Sequence, residues 1–174
     1  MFEKYSKTSP SALNPMSWSF AFATPAHIIA TFFGSGVLRP ASGTFGTLAG
    51  LIFYMLLAPF VPFVVWIVLI CVAFFVGAWA SEVTGRDIGV HDHSSIVIDE
   101  VFAIWAVLLT VPATLLWQLA AFLAFRFFDI VKLPPTAWFD REMRNGYGVM
   151  LDDACAGIQA ILLLTIVQYL LSRI

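Results

Sequence analysis

Residues 95–111 read Ser-Ile-Val-Ile-Asp-Glu-Val-Phe-Ala-Ile-Trp-Ala-Val-Leu-Leu-Thr-Val, an apolar stretch that carries two adjacent acids, Asp99 and Glu100. An acid at membrane depth costs roughly 2.5–3.5 kcal/mol on insertion scales, so such residues are retained mainly to bind a cation, relay protons or hold a substrate. A second pair, Asp152 and Asp153, precedes the last apolar segment in the same way. The chain therefore combines membrane-type hydropathy with clustered polar chemistry.

The composition of the whole chain indicates a membrane protein. Of its 174 residues 60% are hydrophobic and 11% are charged, and the mean hydropathy is +0.90, whereas a soluble domain is about 25% charged. The predicted fold is an all-α, polytopic membrane helical bundle.

A net charge of −2 argues against a nucleic-acid partner. Cys71 and Cys155 belong to no Cys-x-x-Cys pair, so neither a disulfide framework nor a zinc site is expected.

Four to five segments are candidates for transmembrane helices, each of which needs about 20 mainly apolar residues. They run over residues 44–57, 63–81, 96–111, 113–130 and 153–171. Residues 25–38 are too short to span, and we expect a re-entrant or interfacial half-helix there. Residues 1–23 are polar and lack a signal peptide, which predicts a cytosolic or interfacial tail. Residues 24–174 then form a single membrane-embedded domain.

The polar residues are predicted to lie on one side of the membrane. Residues 58–62 and 110–114, the tips of two predicted hairpins, carry no charge. The opposite side holds ten of the eleven acids and the basic residues Arg39, Arg86, Arg126, Lys132, Arg141 and Arg144, so it faces the cytoplasm by the positive-inside rule. Transporters need polar groups near the midplane. The pattern favours an enzyme acting at one leaflet, with an ion-coupled transporter or a structural module as the alternative.

His91, Asp92 and His93 are contiguous in the loop that precedes the acid pair. A neutral imidazole can serve as a general base or as a metal ligand. These three residues are therefore candidate general acids or bases. A solvated loop with helix caps is an equally open interpretation of the same triplet.

Arg126 and Asp129 are three residues apart on a predicted helix and therefore share one face. One interpretation is a local ion pair. In the other, Arg126 and Lys132 hold a phosphate, since guanidinium forks match phosphate oxygens and lysine adds a point charge, while Asp129 faces a metal ion.

Two further segments carry open alternatives. Asp152 and Asp153 are either helix-capping acids or ligands of a metal ion. Residues 34–47 are rich in Gly, Ser and Thr and include Arg39 and Thr44. This segment either binds an anion through backbone amides and hydroxyls or is a site of close helix packing. Because hard oxygen ligands suit hard cations, the five acids predict Mg²⁺ and a phosphorylated, amphipathic substrate.

Several separated motifs, in one order over about residues 25–166, resemble the phosphatidylglycerophosphatase A type of membrane lipid phosphatase. They are Phe-Gly-Ser-Gly at 33–36, Ser-Gly-Thr-Phe-Gly-Thr-Leu at 42–48, Gly-Val-His-Asp-His-Ser-Ser-Ile-Val-Ile-Asp-Glu at 89–100, Phe-Arg-Phe-Phe-Asp-Ile-Val-Lys at 125–132, Trp-Phe-Asp-Arg at 138–141, and Gly-Val-Met-Leu-Asp-Asp at 148–153 with Ala156-Gly157. The chain departs from the family pattern at Ser42, Ala103, Leu133 and Asn145, which are loop and packing positions.

The resemblance implies a Mg²⁺-dependent hydrolase that removes the terminal phosphate of phosphatidylglycerophosphate to give phosphatidylglycerol at the bacterial inner membrane. The predicted metal ligands are Asp99, Glu100, Asp129, Asp152 and Asp153. The predicted catalytic residues are His91, Asp92, His93, Asp99 and Asp129, and the predicted phosphate ligands are Arg39, Thr44, Arg126 and Lys132. A water nucleophile is favoured over a covalent aspartyl-phosphate, and a different phospholipid head group remains an alternative substrate.

Overall fold

The structure is a computed structural model that describes residues 9–134, 143 and 145–173; the motif at 138–141 lies outside them. Every regular element in the described residues is helical, which confirms the all-α prediction. The helices are α1 (Pro10–Leu13), α2 (Trp18–Ala21), α3 (Pro25–Ala30), a 3₁₀ turn (Ser35–Val37), α4 (Ser42–Leu57), α5 (Phe63–Ile88), α6 (Ile98–Leu108), α7 (Leu115–Val131) and α8 (Gly146–Leu171).

Helix α6 is the centre of the bundle. Ten of its eleven residues are buried, and it packs against α4, α5, α7 and α8. A helix that is hydrophobic around its whole circumference can be buried on every side. The two acids in its first turn are therefore enclosed by the surrounding helices.

Small residues let α4 approach α6 closely. A Cβ atom on Gly46 would lie 2.5 Å from Cβ of Val97, and one on Gly50 would lie 3.2 Å from Cα of Val101. The indole Nε1 of Trp105 donates a hydrogen bond to the Gly50 carbonyl at 2.9 Å. Close backbone approach at small residues is typical of helix packing in membranes, and α4 and α6 pack against each other in this way.

Two of the described helices, α5 and α8, are long and apolar enough to cross a membrane. Each has 26 residues, with mean hydropathies of 2.7 and 2.0 in windows that are only 22% buried. Helix α4 is a shorter apolar helix. The predicted number of four to five spans is larger than this count and stays a prediction.

The predicted span over residues 96–111 is longer than the helix that the structure contains. Helix α6 has eleven residues, a rise of about 16 Å against a hydrocarbon core of about 30 Å. It starts only at Ile98, because the amide of Val97 donates to the carbonyl of Ala30 at 2.8 Å. This contact ties residues before the helix to α3.

Helix α3 is a six-residue half-helix that is too short to span on its own, as predicted. The chain turns directly after it through three positive φ angles, at Phe32 (42°), Phe33 (55°) and Gly34 (83°). The buried ring of His27 fixes α3 to the end of α5, because its Nε2 lies 3.0 Å from Oδ2 of Asp87.

The hairpin tips lie opposite the acidic end of the bundle. Helices α4 and α5 join at residues 58–62, and α6 and α7 join at residues 109–114, close to the predicted positions. Nε2 of Gln168, near the end of α8, donates to the carbonyl of Thr110 at 3.2 Å. The start of α6, the end of α7 and the first part of α8 therefore meet at the other end.

Candidate active site

Three carboxylates converge at the acidic end of the bundle. One oxygen each from Asp99, Glu100 and Asp153 lies within 4.8 Å of the other two, and each residue is only 3% exposed. Asp99 and Glu100 lie in the first turn of α6, where the helix dipole favours negative charge. Asp153 comes from α8, so the structure brings together the two acid pairs that the sequence singled out.

Capping does not explain Asp152 and Asp153. Helix α8 begins at Gly146, and the side chain of Asn145 caps it by accepting from the amide of Gly148 at 2.9 Å. A carboxylate oxygen of Glu82 accepts from the amide of Gly146 at 2.7 Å. The two acids therefore lie well inside the helix, seven and eight residues into it.

The predicted start of this helix at residue 153 was wrong. Gly146 and Gly148 lie inside the helix and are closely packed. A Cβ atom on Gly146 would lie 1.9 Å from the carbonyl oxygen of Ala78. The glycines permit this approach of α8 to α5, a tertiary contact that helix propensity alone does not register.

Arg126 connects three helices at the site. Its Nη1 lies 2.7 Å from Oδ2 of Asp129 and 3.5 Å from Oε1 of Glu100, and donates to Oγ1 of Thr47 at 3.3 Å. Arg126 and Asp129 thus share a helix face and form the local ion pair that was one of the predicted alternatives. Through these contacts α7 is held against both α4 and α6.

Lys132 forms the second ion pair of the site. It is the C-terminal cap of α7, with a φ of 50°, and its Nζ lies 2.5 Å from Oδ2 of Asp152 on α8. Arg126 and Lys132, two of the three bases predicted to bind phosphate, therefore contact carboxylates that flank the cluster of three.

The donor set fits a hard divalent cation. Five acids and the guanidinium of Arg126 are buried, and Lys132 is largely enclosed. With all of these groups ionised, the site would carry an excess of three negative charges. Buried charges need compensation, and converging carboxylate oxygens are the ligands that Mg²⁺ prefers. Asp99, Glu100 and Asp153 supply such oxygens.

A pocket opens beside the carboxylates. It is lined by His91, Asp92, Asp99, Met143, Gly148, Val149 and Asp152. Within the described part of the chain, the buried Nε2 of His91 has no hydrogen-bond partner. His91 therefore combines a position in the pocket lining with a ring nitrogen that has no partner among the described residues.

His93 has a different environment from His91. It is fully buried, its Nε2 lies 2.9 Å from the carbonyl of Asn14, and its Nδ1 accepts from the amide of Ser95 at 3.0 Å. Because a carbonyl only accepts, Nε2 must carry the proton. Both ring nitrogens are engaged with backbone, which suits a structural role better than proton transfer.

Arg39 and Thr44 lie at the start of the α4 region. Arg39 is exposed and its Nη2 donates to the carbonyl of Ser11 at 3.2 Å. Thr44 is half-buried in the first turn of α4. Their predicted roles in phosphate binding stay predictions.

Sequence reasoning missed Thr47 and Glu82 as contributors to the site. Thr47 donates to the Gly43 carbonyl at 2.8 Å and accepts from Arg126. A Gly-x-x-x-Thr spacing places both residues on one helix face, and that was the available signal. Glu82 gave no local signal, since the helix end that it caps is 64 residues away.

A family model and two similar proteins carry the same family name. The family model described as Phosphatidylglycerophosphatase A matches residues 28–168. A protein of that name from Haemophilus influenzae is 40% identical over 158 residues, covering 90% of this chain and 96% of the relative. Another from Escherichia coli is 37% identical over 137 residues, covering 78% of this chain and 79% of the relative.

A third relative carries a different name. A Bacteroides thetaiotaomicron protein provisionally named phosphatidylinositol-3-phosphatase is 35% identical over 151 residues, covering 83% of this chain and 94% of the relative. No solved structure matches the chain.

Proposed function

Because the chain belongs to the phosphatidylglycerophosphatase A family of enzymes, we propose that it removes the terminal phosphate of phosphatidylglycerophosphate in a Mg²⁺-dependent reaction. The products are phosphatidylglycerol and inorganic phosphate. The observation that carries the proposal is the convergence of Asp99, Glu100 and Asp153, with their carboxylate oxygens within 4.8 Å of one another. Such an arrangement suits a divalent cation at a phosphate group.

In this proposal Asp99, Glu100 and Asp153 hold Mg²⁺. When bound, the metal ion would lower the pKa of a bound water and offset phosphoryl charge. The metal-binding roles predicted for Asp129 and Asp152 stay predictions; here these acids orient Arg126 and Lys132, with which they form ion pairs.

Arg126 and Lys132 bind the phosphate group of the substrate. A guanidinium has five N–H donors and an ammonium has three, so each base can contact its carboxylate and a phosphate oxygen at once. The acidic partners also reduce the freedom of both side chains. Positioned donors of this kind stabilise the charge that develops during phosphoryl transfer.

His91 and Asp92 carry out the proton transfers. Both line the pocket beside Asp99, whereas the ring nitrogens of His93 contact backbone. A water attacks phosphorus and gives a proton to one of these two residues, the bond between phosphorus and the glycerol oxygen breaks, and the departing oxygen takes up that proton. Trapping of a phosphorylated Asp99 or Asp129 would instead favour the covalent variant.

The proposed location is the cytoplasmic leaflet of the bacterial inner membrane, with several membrane spans. The apolar faces of α5 and α8 support insertion. The basic residues at the acidic end support a cytoplasmic orientation through the positive-inside rule. The substrate then reaches the pocket from the adjoining leaflet.

The proposal is tested with purified full-length protein in detergent. We expect phosphate release from phosphatidylglycerophosphate with Mg²⁺ and its loss with EDTA. Release that persists in EDTA would contradict the metal dependence, and the absence of release with any divalent cation would contradict the proposed activity.

A different phospholipid head group is the second candidate, favoured by the name of the Bacteroides relative. The same assay with phosphatidylinositol 3-phosphate and phosphatidic acid separates the two. A larger kcat/KM for either of these lipids than for phosphatidylglycerophosphate would establish this alternative.

A further inference from the structure

We infer that residues 9–17, here called the N-terminal strap, hold the α5–α6 loop in place so that His91 and Asp92 remain in the pocket. The inference rests on the proposed function, which assigns proton transfer to these two residues. Ser11 and Asn14 of the strap are then positioning residues for the reaction. The strap lies outside residues 28–168, the part of the chain that matches the family model.

Three hydrogen bonds join the strap to the loop. The amide of Ser94 donates to Oγ of Ser11 at 3.1 Å, and Nε2 of His93 donates to the carbonyl of Asn14 at 2.9 Å. Nδ2 of Asn14 donates to the carbonyl of Ile88 at 2.9 Å. One bond reaches Ile88 at the end of α5 and two reach the middle of the loop, so His91 and Asp92 lie between the anchored positions.

The strap is itself fixed to the protein. Ser9 caps α1 by accepting from the amide of Ala12 at 3.2 Å, and Ser9, Ser11 and Met16 are all at most 5% exposed. Buried serines with defined partners indicate a folded segment, since buried polar groups are retained where they form hydrogen bonds. Nη2 of Arg39 adds a bond to the Ser11 carbonyl at 3.2 Å.

The loop depends on such contacts because it has little regular structure. It leaves α5 through Gly89, whose φ is +74°, and returns at α6 nine residues later. One side of it packs on α5, where a Cβ atom on Gly85 would lie 2.4 Å from the carbonyl oxygen of His91. The hydroxyl of Ser42 donates to the carbonyl of Ser94 at 2.5 Å. The strap supports the middle of the loop, at His93 and Ser94.

Precise placement of an acid–base residue is worth a large factor in rate, because a shift of about 1 Å can cost on the order of a hundredfold. The strap fixes His93, the direct neighbour of Asp92, through a bond to its ring. Loosening the strap is therefore expected to slow the chemical step without weakening the binding of substrate. The expected kinetic effect is a lower kcat at an unchanged KM.

The test uses the full-length protein with Ser11→Ala and Asn14→Asp. The first variant removes the acceptor for the Ser94 amide, and the second replaces the amide donor to Ile88 with an acceptor of nearly the same shape. Asn14 is exposed, so its variant should fold even where Ser11→Ala does not. Ser19→Ala is the matched control, because Ser19 is exposed and its hydroxyl contacts Ser17.

Two measurements separate this inference from the proposed function. Hydrogen exchange of the peptide that covers residues 88–95 should become faster in both strap variants and remain at the wild-type rate in Ser19→Ala, whatever the enzyme's substrate. Kinetics should show kcat reduced by about tenfold or more, with KM within about twofold of wild type. Asn14→Gln, which keeps the donor, should restore much of the rate.

Exchange at the wild-type rate in both strap variants would overturn the inference. Faster exchange with an unchanged kcat would overturn the positioning role and leave only a structural contact. If the wild type itself releases no phosphate, the proposed function fails, while the exchange measurement still decides whether the strap holds the loop.

Discussion

Asp153 and Asp152 are neighbours in sequence with opposite surroundings. Asp153 lies with two other carboxylates within 4.8 Å, a distance at which two like charges repel by on the order of 3 kcal/mol at an effective dielectric constant of 20. Asp152 instead contacts the ammonium of Lys132. Neutralising Asp153 should therefore relieve its repulsion by Asp99 and Glu100. Neutralising Asp152 should remove its attraction to Lys132.

We expect Asp153→Asn to raise the thermal midpoint in EDTA, to abolish the stabilisation by added Mg²⁺, and to lower kcat by about a hundredfold or more. Asp152→Asn should lower the midpoint in EDTA, because an ion pair that loses one partner leaves a buried charge uncompensated. Thermal unfolding in detergent, with EDTA or with Mg²⁺, measures the midpoints of both variants, and phosphate release measures kcat. A retained Mg²⁺ shift in Asp153→Asn would contradict its role as a ligand.

Thr47 is expected to orient Arg126 through its hydroxyl. Thr47→Val keeps the shape of the side chain but leaves Nη1 without this acceptor, and a hydrogen bond to a charged group is worth about 1.5–3 kcal/mol. We expect kcat/KM to fall by about tenfold. Thr47→Ser keeps the hydroxyl and serves as the control, and equal activities of the two variants would exclude the role.

At the scale of residues, sequence reasoning identified the kinds of group in the site better than their partners. Helical spacing placed Arg126 and Asp129 on one face, and their contact at 2.7 Å confirms it. The same spacing says nothing about contacts between helices. Two hydrogen bonds of the site join residues that are 79 positions apart, one from Arg126 to Thr47 and one from His93 to Asn14. No local sequence pattern encodes such contacts.

At the scale of elements, the contact between α4 and α6 leaves little room for an added methyl group. A Cβ atom on Gly46 would lie 2.5 Å from Cβ of Val97, whereas one on Gly157 would be at least 3.6 Å from its neighbours. We expect Gly46→Ala to destabilise the fold by about 1–3 kcal/mol. Gly157→Ala should leave stability unchanged or raise it slightly, since alanine favours helix.

Thermal unfolding of both glycine variants in the same detergent tests this expectation. Similar midpoints for Gly46→Ala and wild type would show that α4 can move away from α6. A large loss in Gly157→Ala would show that packing of α8 against α6 is tighter than these distances indicate.

The helices were predicted well where hydropathy and proline mark them. Pro59 and Pro62 bracket the turn between α4 and α5, and α5 begins at Phe63 as expected. The end of α5 was misplaced, since the helix continues to Ile88 and not only to residue 81. Two other ends were misplaced because tertiary contacts set them. Helix α6 begins late where Val97 binds α3, and α8 begins early because Gly146 packs against α5.

At the scale of the whole molecule, the arrangement of helices predicts the orientation in the membrane. The acidic end contains Arg126 and Lys132, and α8 extends from Gly146 at this end for about 39 Å to Leu171. With five spans, a fusion partner placed after Arg173 would lie on the periplasmic side. Alkaline phosphatase fused there should be active, and a fluorescent protein should be dark.

An epitope inserted in the loop between α5 and α6 is the matched control for expression. A short epitope inserted after Gly89, in the loop at the acidic end, should be reached by antibody only from the cytoplasmic side. An inactive phosphatase fusion after Arg173, together with antibody access to the Gly89 epitope from the periplasmic side, would contradict the orientation. This result would leave the site geometry unchanged.

The lengths of the helices have a consequence for the surrounding lipid. Helices α5 and α8 have 26 residues each, whereas α4 has 16 and α7 has 17, a rise of about 25 Å for the shorter pair. A bilayer thins locally to match a short hydrophobic surface. With α4 and α7 as spans, as the proposed arrangement has them, the membrane beside them would be thinner. The head group of a lipid there would then lie closer to the carboxylates before any binding occurs.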